Sequence, residues 1–143
     1  MISNDIKIED LIPHRDRMKL VDGILTVDET KAVTASVVSE EWPTAGKTGV
    51  CALVLLELVA QTAGVCIGWR EMKKHGNTEG GRGWLVGIKQ ANFMLDPIPF
   101  DAKVVTTTQE KFSFEGLSEI SGDVRLADET IASITLQVVQ EED

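Results

Sequence analysis

Residues 50–69 read VCALVLLELVAQTAGVCIGW, and only two strongly polar side chains, Glu57 and Gln61, interrupt the run. A stretch of this length could cross a bilayer. A glutamate and a glutamine one helical turn apart near its middle, in a chain otherwise rich in strand patterns, argue instead for a helix buried inside a protein. A helix apolar on every side needs cover on every side. The rest of the chain has to supply that cover.

Upstream, residues 6–12 (IKIEDLI) carry apolar side chains at 6, 8, 11 and 12 and stop before Pro13, the pattern of a short helix. Residues 18–26 (MKLVDGILT) and 32–38 (AVTASVV) are rich in β-branched residues and flank the polar turn Asp28-Glu29-Thr30-Lys31, which predicts a hairpin. Residues 42–49 (WPTAGKTG) read as a loop. Downstream, residues 70–83 (REMKKHGNTEGGRG) are polar and glycine-rich, ending the helix in a second loop. Four strand-like runs follow, at 84–94, 102–114, 117–126 and 130–139, punctuated by Pro97, Pro99, Gly116 and Asp128-Glu129. Strands and helices do not alternate, so a parallel α/β sheet is excluded. The order predicts an α+β hot-dog fold: an antiparallel sheet of about six strands wrapped around one long apolar helix, in a single domain over residues 1–143.

The chain has 143 residues, and its net charge of −9 weighs against binding to nucleic acid or an anionic membrane, which needs concentrated Lys and Arg. Hydrophobic residues at 43% against 26% charged exclude wholesale disorder. The first ten residues lack the apolar run of a secretory signal. Cys51 and Cys66 fall in one helical stretch, about 22 Å apart at about 1.5 Å per residue, beyond disulfide reach. Both read as small buried hydrophobes of a cytoplasmic protein.

Glu57 is the first candidate for chemistry. Apolar surroundings favour the neutral form of a carboxyl group, which moves it toward proton transfer near neutral pH. The competing structural reading is a pairing with a buried arginine or a place in a dimer interface. Gln61, one turn later on the same face, could orient Glu57 or bind a substrate oxygen. The helix start at Gly49 and Val50 offers backbone N–H groups that can hold an oxyanion, although capping by Thr48 accounts for the same residues. Gly46-Lys47-Thr48 is not a phosphate loop, because position 41 is Glu where that motif needs Gly. His75 reads as a solvated loop residue. His14, at the start of the sheet, could reach an active site, and taken alone it reads as structural. No His or Cys pair has metal-ligand spacing, so neither a metal nor another cofactor is expected.

Residues 11–22 (LIPHRDRMKLVD) resemble the opening signature of the FabZ-type 3-hydroxyacyl-(acyl carrier protein) dehydratases, and residues 49–64 (GVCALVLLELVAQTAG) resemble their helix, with Leu56-Glu57 and Ala60-Gln61 in matching places. Residues 88–93 and 99–105 fit the strands that follow. The resemblance implies that Glu57 is the acidic member of a catalytic pair and that the Gly49 and Val50 amides hold the thioester carbonyl. It also implies sites built between two subunits, hence at least a homodimer. One element departs. The family's histidine stands in a Gly-His-Phe-Pro loop, and the family spacing counted back from Glu57 arrives at Pro43, in Trp42-Pro43-Thr44.

Three readings follow. The chain resembles the divergent, ApeP-like group of the superfamily, which keeps the opening Pro-His signature without that loop; His14 is then the base of a 3-hydroxyacyl-thioester dehydratase. Alternatively Glu57 alone activates water in an acyl-thioester hydrolase, as in other hot-dog enzymes. In the third reading the chain is a non-catalytic acyl-binding subunit that pairs with a complete dehydratase. The acyl group would arrive on acyl carrier protein or on coenzyme A, and Arg70, Lys73, Lys74, Arg82 and Lys89 form a cationic cluster that could attract either.

Overall fold

The computed structural model describes residues 7–12, 15–76 and 83–140. A single helical turn, α1 (Ile8–Leu11), and a 3-10 turn at Asp16–Met18 precede the hairpin of β1 (Gly23–Val27) and β2 (Lys31–Val37). The two-residue strand β3 (Gly49–Val50) leads toward the long helix α2 (Val54–His75). After it come β4 (Gly83–Phe93), β5 (Ile98–Pro99), β6 (Lys103–Phe114), β7 (Leu117–Leu126) and β8 (Glu129–Gln140). Six strands form one antiparallel sheet in the order β1-β2-β6-β7-β8-β4, while β3 and β5 pair with each other.

The sheet covers the helix through the alternation of its side chains. Ala32, Thr34 and Ser36 of β2, Val104, Thr106 and Thr108 of β6, Ile120 and Val124 of β7, and Ile134, Leu136 and Val138 of β8 are buried. They share one core with Leu55, Leu58, Val59 and Ala63 of α2. The interface is not wholly apolar. Thr62 donates to the Leu58 carbonyl at 2.9 Å, so its single hydrogen is spent and Thr34 must be the donor in the 2.8 Å bond between the two hydroxyls. In the β1–β2 turn, Asp28 Oδ1 accepts the amides of Thr30 at 2.9 Å and Lys31 at 2.8 Å. The Thr30 amide above all holds the Asp28 carboxyl below the usual carboxylate range.

The sequence misplaces both ends of the long helix. Its apolar run begins at Val50, yet the helix begins at Val54, because Gly49 and Val50 are taken by β3 in register with Pro99 and Ile98. Its carboxyl end runs beyond Trp69 through Arg70–Lys74, all good helix formers, and stops at Gly76 in the left-handed conformation, φ +75°, whose N–H bonds the Met72 carbonyl. His75 is therefore the last residue of a helix rather than part of a loop, 3.5 Å from Glu71. Cys66 is buried with its thiol pushed up to about 11 by desolvation, and Cys51, which precedes the helix, is half-buried. Among the described residues no helix is long and apolar enough to cross a membrane.

Candidate functional site

The sheet leaves one flank of α2 near its start uncovered. Leu53 is 59% exposed, and Leu56, Glu57 and Ala60 are half-buried along the same side. Glu57 thus stands half-buried, with apolar neighbours on both sides in the chain.

Gln61 holds it. Its side chain is fully enclosed, and its Nε2 donates to Glu57 Oε1 at 3.0 Å and to the Met18 carbonyl at 2.5 Å, while its Oε1 accepts the Leu20 amide at 2.9 Å. One amide therefore joins the carboxylate to the backbone of residues 18–20. The chain ahead of that segment is secured further along the helix, where Leu11 and Ile12 pack against Gly68 and Gly64. Arg15 closes the gap between the two attachments: its guanidinium donates to the Ile12 carbonyl at 2.7 Å and to the Glu9 carbonyl at 2.9 Å. Lys19 pairs with Glu9 and holds the Glu9 carboxyl below its ordinary range, chiefly through that side-chain hydrogen bond. His14, expected to be the base, lies outside the described residues, but the chain on both sides of it is fastened to the helix that carries Glu57.

The Gly49 and Val50 amides lie differently from the sequence-based expectation. They belong to β3, four residues ahead of the helix, so the positive end of the helix dipole is not at Gly49. Gly49 is buried where a Cβ would come within 2.2 Å of the Ile98 carbonyl oxygen, a contact that only glycine tolerates. Thr48 does not cap the helix: its N-cap position is Leu53, without a side-chain bond. Asp96, which no sequence motif singled out, accepts the Ala52 amide at 3.0 Å in the turn leading into α2. Its signal was present only as a carboxylate beside Pro97, at a distance of more than forty positions from its partner.

The position of the missing loop histidine is filled. Trp42 is buried in the core, Pro43 is half-buried, and Thr44 takes a left-handed φ of 71° with its hydroxyl on the Cys51 carbonyl. Among the described residues the one imidazole, that of His75, stands about 27 Å along the helix from Glu57 at about 1.5 Å per residue. The cationic cluster is also partly spent. Arg70 pairs with Glu110 at 2.9 Å and Lys89 with Glu119 at 2.8 Å, while Lys73 sits 4.7 Å over the Trp69 ring. Arg82 lies outside the described residues. No group of three or more His, Cys, Asp or Glu that could hold a metal is found among the described residues.

A family model described as "ApeP-like: ApeP dehydratase" matches residues 6–143. No curated protein matches the chain. Among solved structures, one chain of the dehydratase heterocomplex ApeI:P from Xenorhabdus doucetiae superposes with a TM-score of 0.81 at 15% identity, covering 96% of this chain and 93% of that one. A hypothetical thioesterase with coenzyme A from Streptococcus pneumoniae gives 0.66 at 12% identity, covering 84% and 85%. The PaaI protein from the phenylacetic acid degradation operon of E. coli gives 0.64 at 14% identity, covering 82% and 81%. At these identities the structural likeness establishes the hot-dog fold, as the order of elements in the sequence predicted.

Proposed function

The chain belongs to the ApeP-like dehydratase family, and on that premise we propose that it removes water from 3-hydroxyacyl thioesters, with Glu57 as the acid that protonates the leaving hydroxyl. A base takes the α-proton, the bond to the β-hydroxyl breaks, the Cα=Cβ double bond forms, and the hydroxyl departs with the proton of Glu57 as water. The proton gained by the base returns through solvent to Glu57. We assign the base to His14. The observation that carries this reading is the placement of Glu57: half-buried on the uncovered flank of α2 and tied through Gln61 to the segment that flanks His14.

A second reading draws on the buried Trp42 and half-buried Pro43 at the histidine-loop position. In it the chain is an acyl-binding subunit whose partner, a complete dehydratase, supplies the imidazole; the similar ApeI:P structure is itself a heterocomplex. A hydrolase using Glu57 alone is the third.

One experiment separates them. Purified protein is given 3-hydroxyacyl and saturated acyl thioesters of acyl carrier protein and of coenzyme A, and enoyl formation and thiol release are followed together. The dehydratase reading expects enoyl product that falls about 100- to 10,000-fold in Glu57→Gln, the usual worth of a general acid, and likewise in His14→Ala. Thiol release that needs Glu57 and survives His14→Ala makes the protein a hydrolase. Binding without either product makes it a subunit awaiting its partner.

A further inference from the structure

We propose that the fold carries a binding site for one ordered water molecule, held between Thr108 of β6 and the ion pair of Arg70 and Glu110. At the far end of α2, about 20 Å along the helix from Glu57 at about 1.5 Å per residue, helix and sheet leave a small cavity. Its volume is about 10 Å3, the room of a single water. Thr108, Arg70 and Glu110 line it together with Thr30, Cys66 and Ala63.

Thr108 is the reason for a polar occupant. It is 2% exposed, and its hydroxyl has no hydrogen-bond partner among the described residues. Its neighbours across the sheet, Ala32 and Gly122, carry no polar side-chain atom. Thr34, on the same face of β2, instead meets the Thr62 hydroxyl of α2 at 2.8 Å. The cavity holds no such partner for Thr108. Cys66 spends its S–H on the Asp28 carbonyl at 3.2 Å, and the Thr30 hydroxyl takes the Gln109 Nε2 at 3.2 Å.

The charged pair has bonds to give. Arg70 uses three N–H groups on the Glu29 carbonyl, Glu110 Oε2 and Gln140 Oε1, fewer than a guanidinium carries. Glu110 receives one of those bonds, and a carboxylate can accept several. A water in the cavity therefore donates to Glu110, bonds the Thr108 hydroxyl and takes an N–H of Arg70. An ion is disfavoured, because the charges of Arg70 and Glu110 cancel and a further charge would enter uncompensated. The water ties β6 to the end of α2 through a hydroxyl as well as through the ion pair, whatever reaction the protein performs.

A crystal structure of the wild-type protein that resolves solvent tests the site. One oxygen is expected within about 2.6–3.2 Å of both Thr108 Oγ1 and a Glu110 carboxylate oxygen. A closed or empty cavity overturns the proposal, and so does an ion or a larger molecule in it. Urea denaturation of Thr108→Val tests the hydroxyl, since valine keeps the shape of threonine without its polar atom. Beside a bound water the substitution removes a hydrogen bond and lowers the midpoint; beside a dry cavity it removes an unmet hydroxyl and raises it. An unchanged or raised midpoint therefore overturns the role given to Thr108. If the valine variant does not fold, the wild-type crystal structure alone decides.

Discussion

The backbone of Leu11 approaches Gly68 so closely that a Cβ there would lie 2.3 Å from the Leu11 carbonyl oxygen, while one turn earlier a Cβ on Gly64 would lie 3.2 Å from Ile12 Cγ2. Two glycines four residues apart form a shallow seat on α2, and the end of α1 rests in it directly ahead of Pro13 and His14. The sign of one substitution tests this. In a free helix Gly→Ala stabilises by about 0.5–1 kcal/mol, whereas forcing a methyl group into a filled contact costs about 1–3 kcal/mol. Gly68→Ala is therefore expected to lower stability in urea denaturation, and to lower enoyl formation beyond the loss of folded protein. A stabilised variant would show that α1 does not dock there.

Arg70 joins the far end of α2 to three other parts of the chain. Its guanidinium reaches Glu110 of β6 at 2.9 Å, Gln140 of β8 at 2.8 Å and the Glu29 carbonyl of the β1–β2 turn at 3.0 Å, and both charged side chains are more than four-fifths covered. Arg70→Met strands the Glu110 carboxylate and should cost about 2–3 kcal/mol, toward the lower end for a broken buried pair because solvent still reaches it. Adding Glu110→Leu should recover part of that loss, since the stranded charge is then gone. Urea titration of the single and double variants gives the answer; a double variant weaker by the sum of both singles would mean that the two side chains act independently.

Asp28 gives the protein part of its acid sensitivity. Its carboxyl is held below the ordinary range, first by the Thr30 amide and also by that of Lys31. A depressed carboxyl contributes stability above its unfolded value, about 4, and that contribution vanishes as pH falls through the folded value. Asp28→Ala should therefore melt lower than wild type near pH 7, and the gap should close as the pH falls below about 4. The group is nearly fully exposed, so the effect is small. A gap independent of pH would assign it to turn geometry rather than to charge.

Most of the architecture was legible because the strand-like runs at 102–114, 117–126 and 130–139 follow one another with only turn residues between them, and because the run at 50–69 has no polar face to turn to solvent. The helix ends were not. Val50 and Cys51 look helical by composition, and what removes them is pairing with Ile98 and the bond from Ala52 to Asp96, both made with residues more than forty positions away. At the site, Glu57 was legible as a lone charge in an apolar run. The bonds of Gln61 to Met18 and Leu20 were not, because a glutamine on a helix face carries no signal of which distant backbone it will meet. Arg70 and Lys89 looked like part of a docking patch for the same reason: their carboxylate partners lie on strands far along the chain.

At the β8 side of the sheet, β4 is the last strand, and it carries Leu85, Val86 and Ile88 at 48%, 57% and 47% exposure. The ladder with β8 is bulged between Leu85 and Gly87, which leaves Val86 without a partner, so this apolar surface lies on an edge that already offers unpaired backbone groups. An edge of this kind is open to another chain. If the site is completed by a second subunit, β4 is the place where that subunit adds. Val86→Asp should alter the stability of the isolated fold by no more than about 0.5 kcal/mol, because the side chain is already exposed there. Light scattering at micromolar concentration is expected to show a dimer for the wild-type chain and a monomer for Val86→Asp, with enoyl formation lost together with the dimer. A wild-type monomer would place the partner on a different chain, and a Val86→Asp variant that stays dimeric would place the interface elsewhere on the sheet.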